Sequence, residues 1–331
     1  MRVLITGGGT ATAMSVLKGF RSQREIPVEV ILADAQELIA GQHFADGFER
    51  IPPASDPKFL ETLLDVCRRQ RVELLIPLID YEFKIFSEHA AKFLAAGTRV
   101  AISTPPVIAI CGNKEALGKW LKSSGFQSPA ALQKEEVLSR KIQFPLFVKP
   151  KTEGRGSLGA QRVDSVQELE VACKKLNDPL IVEFIDGEEF TIDTISDFSG
   201  HFIAAMPRLR IETKAGVSVK GKTVHSPEMV SLAKKITEAL PILGASNIQC
   251  FRRRDGSLVV SEVNPRFSAA LSLSIAAGLN SPLLLAQLAM GKALKAETLA
   301  LKYNVEMARH WEEVFIFEDG RVDKNPWPSV R

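Results

Sequence analysis

Cysteine is scarce in this chain. Cys67, Cys111, Cys173 and Cys250 lie far apart among 331 residues, with no CxxC pair. That spacing argues against a thiolate metal site or a redox couple, and for free buried thiols in a reducing compartment. The five histidines are equally dispersed, and none is assigned as a ligand. There is little charge of one sign: 42 Lys and Arg face 39 Asp and Glu, a formal net charge of +3. Such a balance does not indicate a nucleic-acid partner, and a small surplus simply serves anionic ligands. Internal repeats and low-complexity segments are missing. Met1-Arg2-Val3-Leu4-Ile5 opens directly as a strand, so no signal peptide and a cytoplasmic location are expected.

Charge is absent altogether from Phe267 to Gly291, a run long enough to raise a membrane question. However, Gly278, Asn280, Ser281 and Pro282 break it, and Ser268, Ser272, Ser274 and Gln287 dot it. It reads as two short buried helices, the second capped by Ser281 with Pro282 in its first turn. No membrane partner is expected.

What remains is ordinary for a globular protein: 45% apolar and 24% charged residues, in a chain long enough for two or three domains. Residues 1–112 alternate apolar runs with amphipathic helices. Val3–Ile5, Val28–Ala33, Leu74–Leu78 and Arg99–Ile102 read as strands. A helix from Asp56-Pro57 turns Phe59, Leu60, Leu63, Leu64 and Cys67 inward. This βα alternation implies a parallel sheet. Gly112-Asn113-Lys114 leads into a helix that ends near Gly125 and buries Trp120 and Leu121. Beyond a linker at Pro129 come a strand at Phe144–Lys149 and a capping box at Ser165-Val166-Gln167-Glu168, starting a helix to about Leu176. Strands at Leu180–Ile185 and Phe190–Ser196 flank a turn at Asp186-Gly187. Further strands lie near 202–212, a helix runs from Ser226-Pro227 to about Leu240, and a hairpin spans Gln249–Asn264.

That hairpin is the most informative stretch. Arg254-Asp255-Gly256-Ser257 is a turn between Asn247-Ile248-Gln249-Cys250-Phe251 and Leu258-Val259-Val260, which continues into Ser261-Glu262-Val263-Asn264-Pro265-Arg266. Alternate strand residues share a face, so Glu262 and Asn264 point the same way, and Gln249 approaches from the partner strand. One carboxylate and two amide oxygens suit Mg²⁺, which completes its shell with water and phosphate. A surface hairpin with a polar edge is the plainer account of the same residues.

Three further stretches carry candidate chemistry. Thr6-Gly7-Gly8-Gly9-Thr10-Ala11-Thr12, with Asp34 ending the next strand, approaches a dinucleotide fingerprint, but Thr12 stands at the third glycine position. A cofactor-free βα turn is favoured over NAD binding. Lys149 ends a strand and precedes a loop holding Gly154, Arg155, Gly156, Ser157 and Gly159, a composition that suits polyphosphate without forming a Walker loop. Glu183, Phe184, Ile185 and Glu189 read either as an exposed acidic turn or as a nucleoside site: Glu183 and the Phe184 and Ile185 backbone on adenine, Glu189 on ribose hydroxyls.

In this order the elements resemble the ATP-grasp superfamily, and most of all the ATP-binding half-units of the carbamoyl-phosphate synthetase large subunit. Ser246-Asn247-Ile248-Gln249, Glu262-Val263-Asn264-Pro265-Arg266 and Phe144-Pro145-Leu146-Phe147-Val148-Lys149-Pro150 carry the resemblance, which covers nearly the whole chain. It implies an α/β protein: a Rossmann-like pre-ATP-grasp domain over 1–112, a central ATP-grasp lobe over 113–186, and a C-terminal lobe with the metal site over 187–331. It also implies that Lys114 and Lys149 contact ATP phosphates and that Gly154–Gly159 close over them. Glu183, Phe184, Ile185 and Glu189 would hold the nucleoside, and Gln249, Glu262 and Asn264 would hold Mg²⁺, with Mn²⁺ as substitute. Arg266 would stabilise the transferring phosphoryl group or the acyl phosphate, and Lys149 and Arg210 are the further catalytic candidates. Two positions depart from the family pattern: Asn113 replaces an acid, and Gln249 lowers the metal-ligand charge.

The implied reaction joins a carboxylate to an amine through an acyl phosphate. Its partners are small molecules, and a homodimer is the default assembly. Two anions must meet, repelling by roughly 4 kcal/mol at contact in a surface-like dielectric, so several cations are proportionate. Arg208, Arg210 and Lys214 alternate on one stretch and read either as a substrate-anion row or as a solvated basic strand. Asp80 and Glu82, after a strand end, read as amine ligands, or Asp80 as a helix cap. The competing functions are an ATP-binding regulatory module without turnover and, behind it, an NAD(P)-dependent reductase.

Overall fold

The computed structural model describes residues 1–139, 142–152, 159–294 and 298–324. Its first sheet is parallel, with strands in the order Gly47–Arg50, Glu29–Asp34, Arg2–Thr6, Leu74–Ile76 and Arg99–Val100. The central strands are apolar on both faces, as strands covered by helices on each side must be. Val3, Ile5, Val30, Leu32, Leu74 and Ile76 enter one core, and Leu4, Ile31, Ala33 and Leu75 enter the opposite one. Helices Phe59–Gln70 and Phe83–Ala95 line the second core through Phe59, Phe86 and Phe93. Gly47–Arg50 escapes the sequence pattern because it is a short edge strand with no fully buried residue. The helix expected from Asp56 begins at Phe59, since Asp56 Oδ1 instead accepts from Lys58 N at 2.8 Å in the preceding turn.

The first core extends across the chain. Helix Ala11–Arg21 gives it Ala13, Val16, Leu17 and Phe20, and the uncharged run gives it Phe267, Leu271, Ala277, Leu279, Leu284 and Leu285. That run forms helices Leu271–Ala276 and Ser281–Ala289, packed on the N-terminal domain. No helix among the described residues is long and apolar enough to cross a membrane. The cap of the second helix is Asn280, one residue before the expected Ser281: its side chain accepts from Leu283 N at 3.2 Å.

Ala131–Leu132, Pro179–Glu183, Leu146–Pro150 and Gln161–Val163 form a four-stranded antiparallel sheet, in that order. Helix Val166–Lys174 packs on it through Leu169 and Ala172. Ser165 caps this helix by accepting from Glu168 N, while Glu168 reaches past the cap to Asp164 N. A six-stranded antiparallel sheet follows, ordered Leu258–Asn264, Ala245–Arg253, Gly187–Ser196, Phe202–Lys214, Val217–Thr223 and Glu306–Ala308. Alternation gives it two unlike faces. Phe190, Ile192, Ala205, Ile248, Cys250, Val260 and Val263 pack with Met229, Ala233 and Ile236 of helix Pro227–Ala239. The other face is polar around Glu189, Gln249 and Glu262, whereas Ile195, Ala204, Met206 and Ala245 at its far end join the first core. Helix Lys114–Ser123 lies between these layers, with Leu121 buried and Trp120 only partly so, stacked on Phe126 at 5.9 Å.

Candidate active site

The polar face is built by strand register. Gln249 lies opposite Glu262 and Asn247 opposite Asn264, so the four share a side. A bulge makes this alignment work: Cys250 pairs with Val260 and Gln249 with Glu262, leaving Ser261 as the extra residue. Without it, Glu262 would fall on the side of Val260, inside the apolar core. Asn264 Nδ2 donates to Asn247 Oδ1 at 3.2 Å, and Asn247 Nδ2 donates to the Arg266 carbonyl at 2.9 Å. The amide of Asn264 is thus anchored through its nitrogen, and its oxygen remains an acceptor. With the Glu262 carboxylate and the Gln249 amide opposite, the donors are all hard oxygens and fit Mg²⁺. Among the described residues no group of three or more His, Cys, Asp or Glu could hold a metal ion. Of the three oxygen donors, Glu262 alone is a carboxylate.

Four charged side chains bear on that carboxylate. Lys149, 8% exposed, donates to the Ser261 carbonyl at 3.3 Å. Burial lowers its pKa, the Glu262 charge works against this, and the nearby Lys114 ammonium lowers it further. Lys114 itself starts a helix whose cap, Asn113, accepts from Glu115 N and Ala116 N, both at 3.0 Å. Glu189 has its pKa raised by burial, with Arg210 opposing and Glu262 adding to the rise. Arg210 is lowered by burial and by Arg208, against the pull of Glu189 and Glu262. Arg210 Nε lies 3.3 Å from Glu189 Oε2. For Arg266, burial opposes the charge, but Asp80, by charge and hydrogen bonding, and Glu262 outweigh it and raise the pKa.

The basic row divides into three environments. Arg208 is fully buried: Nε and Nη2 grip Asp193 at 2.7 and 3.0 Å, and Nη2 also donates to Ser268 Oγ at 2.9 Å. Ser274 Oγ completes the shell on Asp193 at 2.6 Å. Lys214 is exposed at the end of its strand, beyond register shifts on either side of Glu212. Only Arg210 faces the Glu262 cluster.

Glu183 ends the strand Pro179–Glu183 and binds Arg253 Nη2 at 2.5 Å. The Phe184 ring lies under the Arg162 guanidinium at 4.8 Å, and Ile185 is buried. Gly154, Arg155, Gly156 and Ser157 lie outside the described residues.

The N-terminal glycine turn is explained by packing. Gly7 has φ +65°, and a Cβ there would meet Ile79 Cδ1 at 2.5 Å; one on Gly9 would meet Ile39 Cγ2 at 2.9 Å. Asp34 Oδ2 already accepts from Gly9 N at 2.8 Å and Oδ1 from Gln36 N at 2.8 Å, so this carboxylate organises its own turn. Glu82 is buried beside it and accepts from Thr6 Oγ1 at 2.5 Å. Burial drives its pKa up to about 8; the Thr6 bond opposes this, and Asp34 and Asp80 add to it. Asp80 caps no helix. It binds Arg266 bidentately, Nε to Oδ1 at 2.8 Å and Nη2 to Oδ2 at 3.1 Å. A contact spanning 186 residues leaves no periodic trace, and sequence reading missed it.

Comparison with known proteins bears on this arrangement. Residues 3–101 match the family model described as "PylC-like, N-terminal domain", and residues 175–311 match "ATP-grasp in the biosynthetic pathway with Ter operon". The chain carries an ATP-grasp domain behind a PylC-like N-terminal domain. It is 28% identical over 221 residues to the carbamoyl phosphate synthase large chain of Thermoanaerobacter sp. strain X514, covering 60% of this chain and 20% of that one. The chain thus spans about a fifth of the length of this relative. It is also 28% identical over 170 residues to D-alanine–D-alanine ligase of Fusobacterium nucleatum, covering 47% and 56% of the two chains. The biotin carboxylase domain of Hydrogenobacter thermophilus 2-oxoglutarate carboxylase, solved as a dimer with MgADP, ADP and bicarbonate, superposes with a TM-score of 0.72. That match has 16% identity and covers 92% of this chain and 73% of the other. The fold is therefore α/β, a Rossmann-like domain followed by an ATP-grasp unit, and C–N-forming ligases are among its relatives.

Proposed function

We propose that this ATP-grasp protein is an ATP- and Mg²⁺-dependent carboxylate–amine ligase acting on an amino acid or small carboxylic acid through an acyl phosphate. The observation that carries the reading is the convergence on Glu262. Lys149 from the four-stranded sheet, Glu189 and Arg210 from the centre of the six-stranded sheet, and Arg266 beyond the hairpin all interact electrostatically with one carboxylate. A cluster of mixed charge on a half-buried polar face is what triphosphate transfer requires.

In this proposal Lys149 and Lys114 take the phosphates, with the segment holding Gly154, Arg155, Gly156 and Ser157 as cover. Glu183, Phe184, Ile185 and Glu189 border the nucleoside. Gln249, Glu262 and Asn264 hold the cation. When bound, Mg²⁺, or Mn²⁺ in its place, supplies charge neutralisation to the phosphates. Arg210 and Arg266 stabilise negative charge on the transferring group. The division into units of 1–112, 113–186 and 187–331 belongs to the same proposal, as does a homodimer, the state seen in the biotin carboxylase neighbour.

The test is ADP release across amino acids and small acids, with and without amine acceptors. Turnover that needs both partners is expected. Glu262→Gln should abolish Mg²⁺-ATP turnover with an unchanged circular dichroism spectrum, and wild-type turnover in that variant would contradict the cation assignment. ATP binding without turnover throughout the screen would favour a regulatory module.

A further inference from the structure

Arg266 is reached from two sides of the molecule. Its own hairpin places it two residues past Asn264, and the parallel sheet sends Asp80 to meet it. Asp80 lies four residues beyond strand Leu74–Ile76, at the carboxyl end of the sheet. Its two oxygens take Nε and Nη2 side-on at 2.8 and 3.1 Å, while Nη1 donates to the Phe267 carbonyl at 3.1 Å. A guanidinium has five N–H donors. Among the described residues these contacts use the single Nε donor and one on each terminal nitrogen. One donor therefore remains on Nη1 and one on Nη2. The plane of the guanidinium is fixed by three bonds, and donors are left for an oxyanion.

We propose that Asp80 is a positioning residue for Arg266, through which the N-terminal domain sets the orientation of the catalytic cation. This rests on the phosphoryl-transfer reading of Arg266 given above. A planar fork held bidentately is directional in a way that a lysine or a singly bonded arginine is not. The anchoring carboxylate is itself more than half exposed, with side-chain exposure of 58%. Asp80 touches no reacting atom in this scheme. Its effect should appear in the transition state more than in nucleotide binding.

The experiment compares wild type, Asp80→Asn, Arg266→Lys and the double variant in two assays. The first is steady-state turnover. Asp80→Asn should lower kcat about 10- to 100-fold with KM for ATP unchanged within about threefold, and should cost nothing further in the Arg266→Lys background. The second is affinity for MgADP with and without aluminium fluoride, a mimic of the transferring phosphoryl group that needs no known substrate. Asp80→Asn should weaken the aluminium fluoride complex about 10-fold or more and leave MgADP binding unchanged. A preference for aluminium fluoride equal to that of wild type, or an unchanged kcat, overturns the positioning role. Equal losses for MgADP with and without fluoride would show a structural role and overturn it too. A wild type that turns over no acid–amine pair, yet loses aluminium fluoride affinity on Asp80→Asn, would favour the regulatory module over the ligase reading and still support the positioning role.

Discussion

Glu82 shows how one side chain couples local burial to the behaviour of the whole chain. Its folded pKa of about 8 lies above the ordinary 4.5, so the folded chain keeps a proton that the unfolded chain releases. The contribution of this group to stability is therefore full below about 4.5, falls as pH rises, and is lost by about pH 8. Glutamine preserves the shape and the bond from Thr6 but cannot ionise. Glu82→Gln should flatten the fall in melting temperature between pH 5 and 8 and gain on the order of a few kcal/mol over wild type at the upper end. Parallel melting curves across that range would show that Glu82 does not titrate as described. Sequence reading singled out Glu82 and Asp80 together, as acids after a strand end. It could not separate them, because one is turned inward to Thr6 and the other outward to Arg266 by the short turn Asp80–Glu82. The same holds for Arg208 and Arg210: two residues apart on one strand, one is neutralised by Asp193 and the other faces Glu262. Residue type was legible, whereas allegiance was decided by partners far away in the chain.

At the scale of elements, alternation carried most of the information. The central parallel strands and the polar side of the hairpin follow from apolar runs and period two. What failed was local: a bulge, an edge strand and a cap. Glu262 and Asn264 share a side as alternation requires, but the side they share is fixed by the extra residue Ser261, which no periodic pattern announces. The cap of helix Ser281–Ala289 is a second case. Asn280 accepts from Leu283 N and also donates through Nδ2 to the Gly19 carbonyl at 2.8 Å, so its second role chooses it over Ser281. Asn280→Ala should cost about 1–3 kcal/mol, the loss of a cap plus the bridge to the Gly19 carbonyl, which keeps its bond from Ser22 Oγ at 3.0 Å. Asn280→Ser keeps the cap and loses the bridge, so denaturant unfolding should place it between wild type and Ala. Equal losses in the two variants would remove the cap from this account.

For the whole molecule, the decisive feature is the core shared by the parallel sheet and the uncharged run. Leu285 is fully buried in the same cluster as Val3, Ile5 and Leu32. Leu285→Ala should cost about 2–5 kcal/mol, and calorimetry should show the parallel sheet and the C-terminal lobe melting together at a lower temperature. Two separate transitions, only one of them displaced, would contradict that. The sequence marked the run as buried but not against what, since composition gives no address.

This shared core also sets a timetable for synthesis. Ser15 meets Ser272 and Gly19 meets Asn280 across 257 and 261 residues. At roughly 5–20 residues per second, about 13 to 50 seconds separate the emergence of helix Ala11–Arg21 from the arrival of its cover. Through that interval a nascent chain carries an uncovered apolar flank, the kind of transiently exposed surface that favours aggregation.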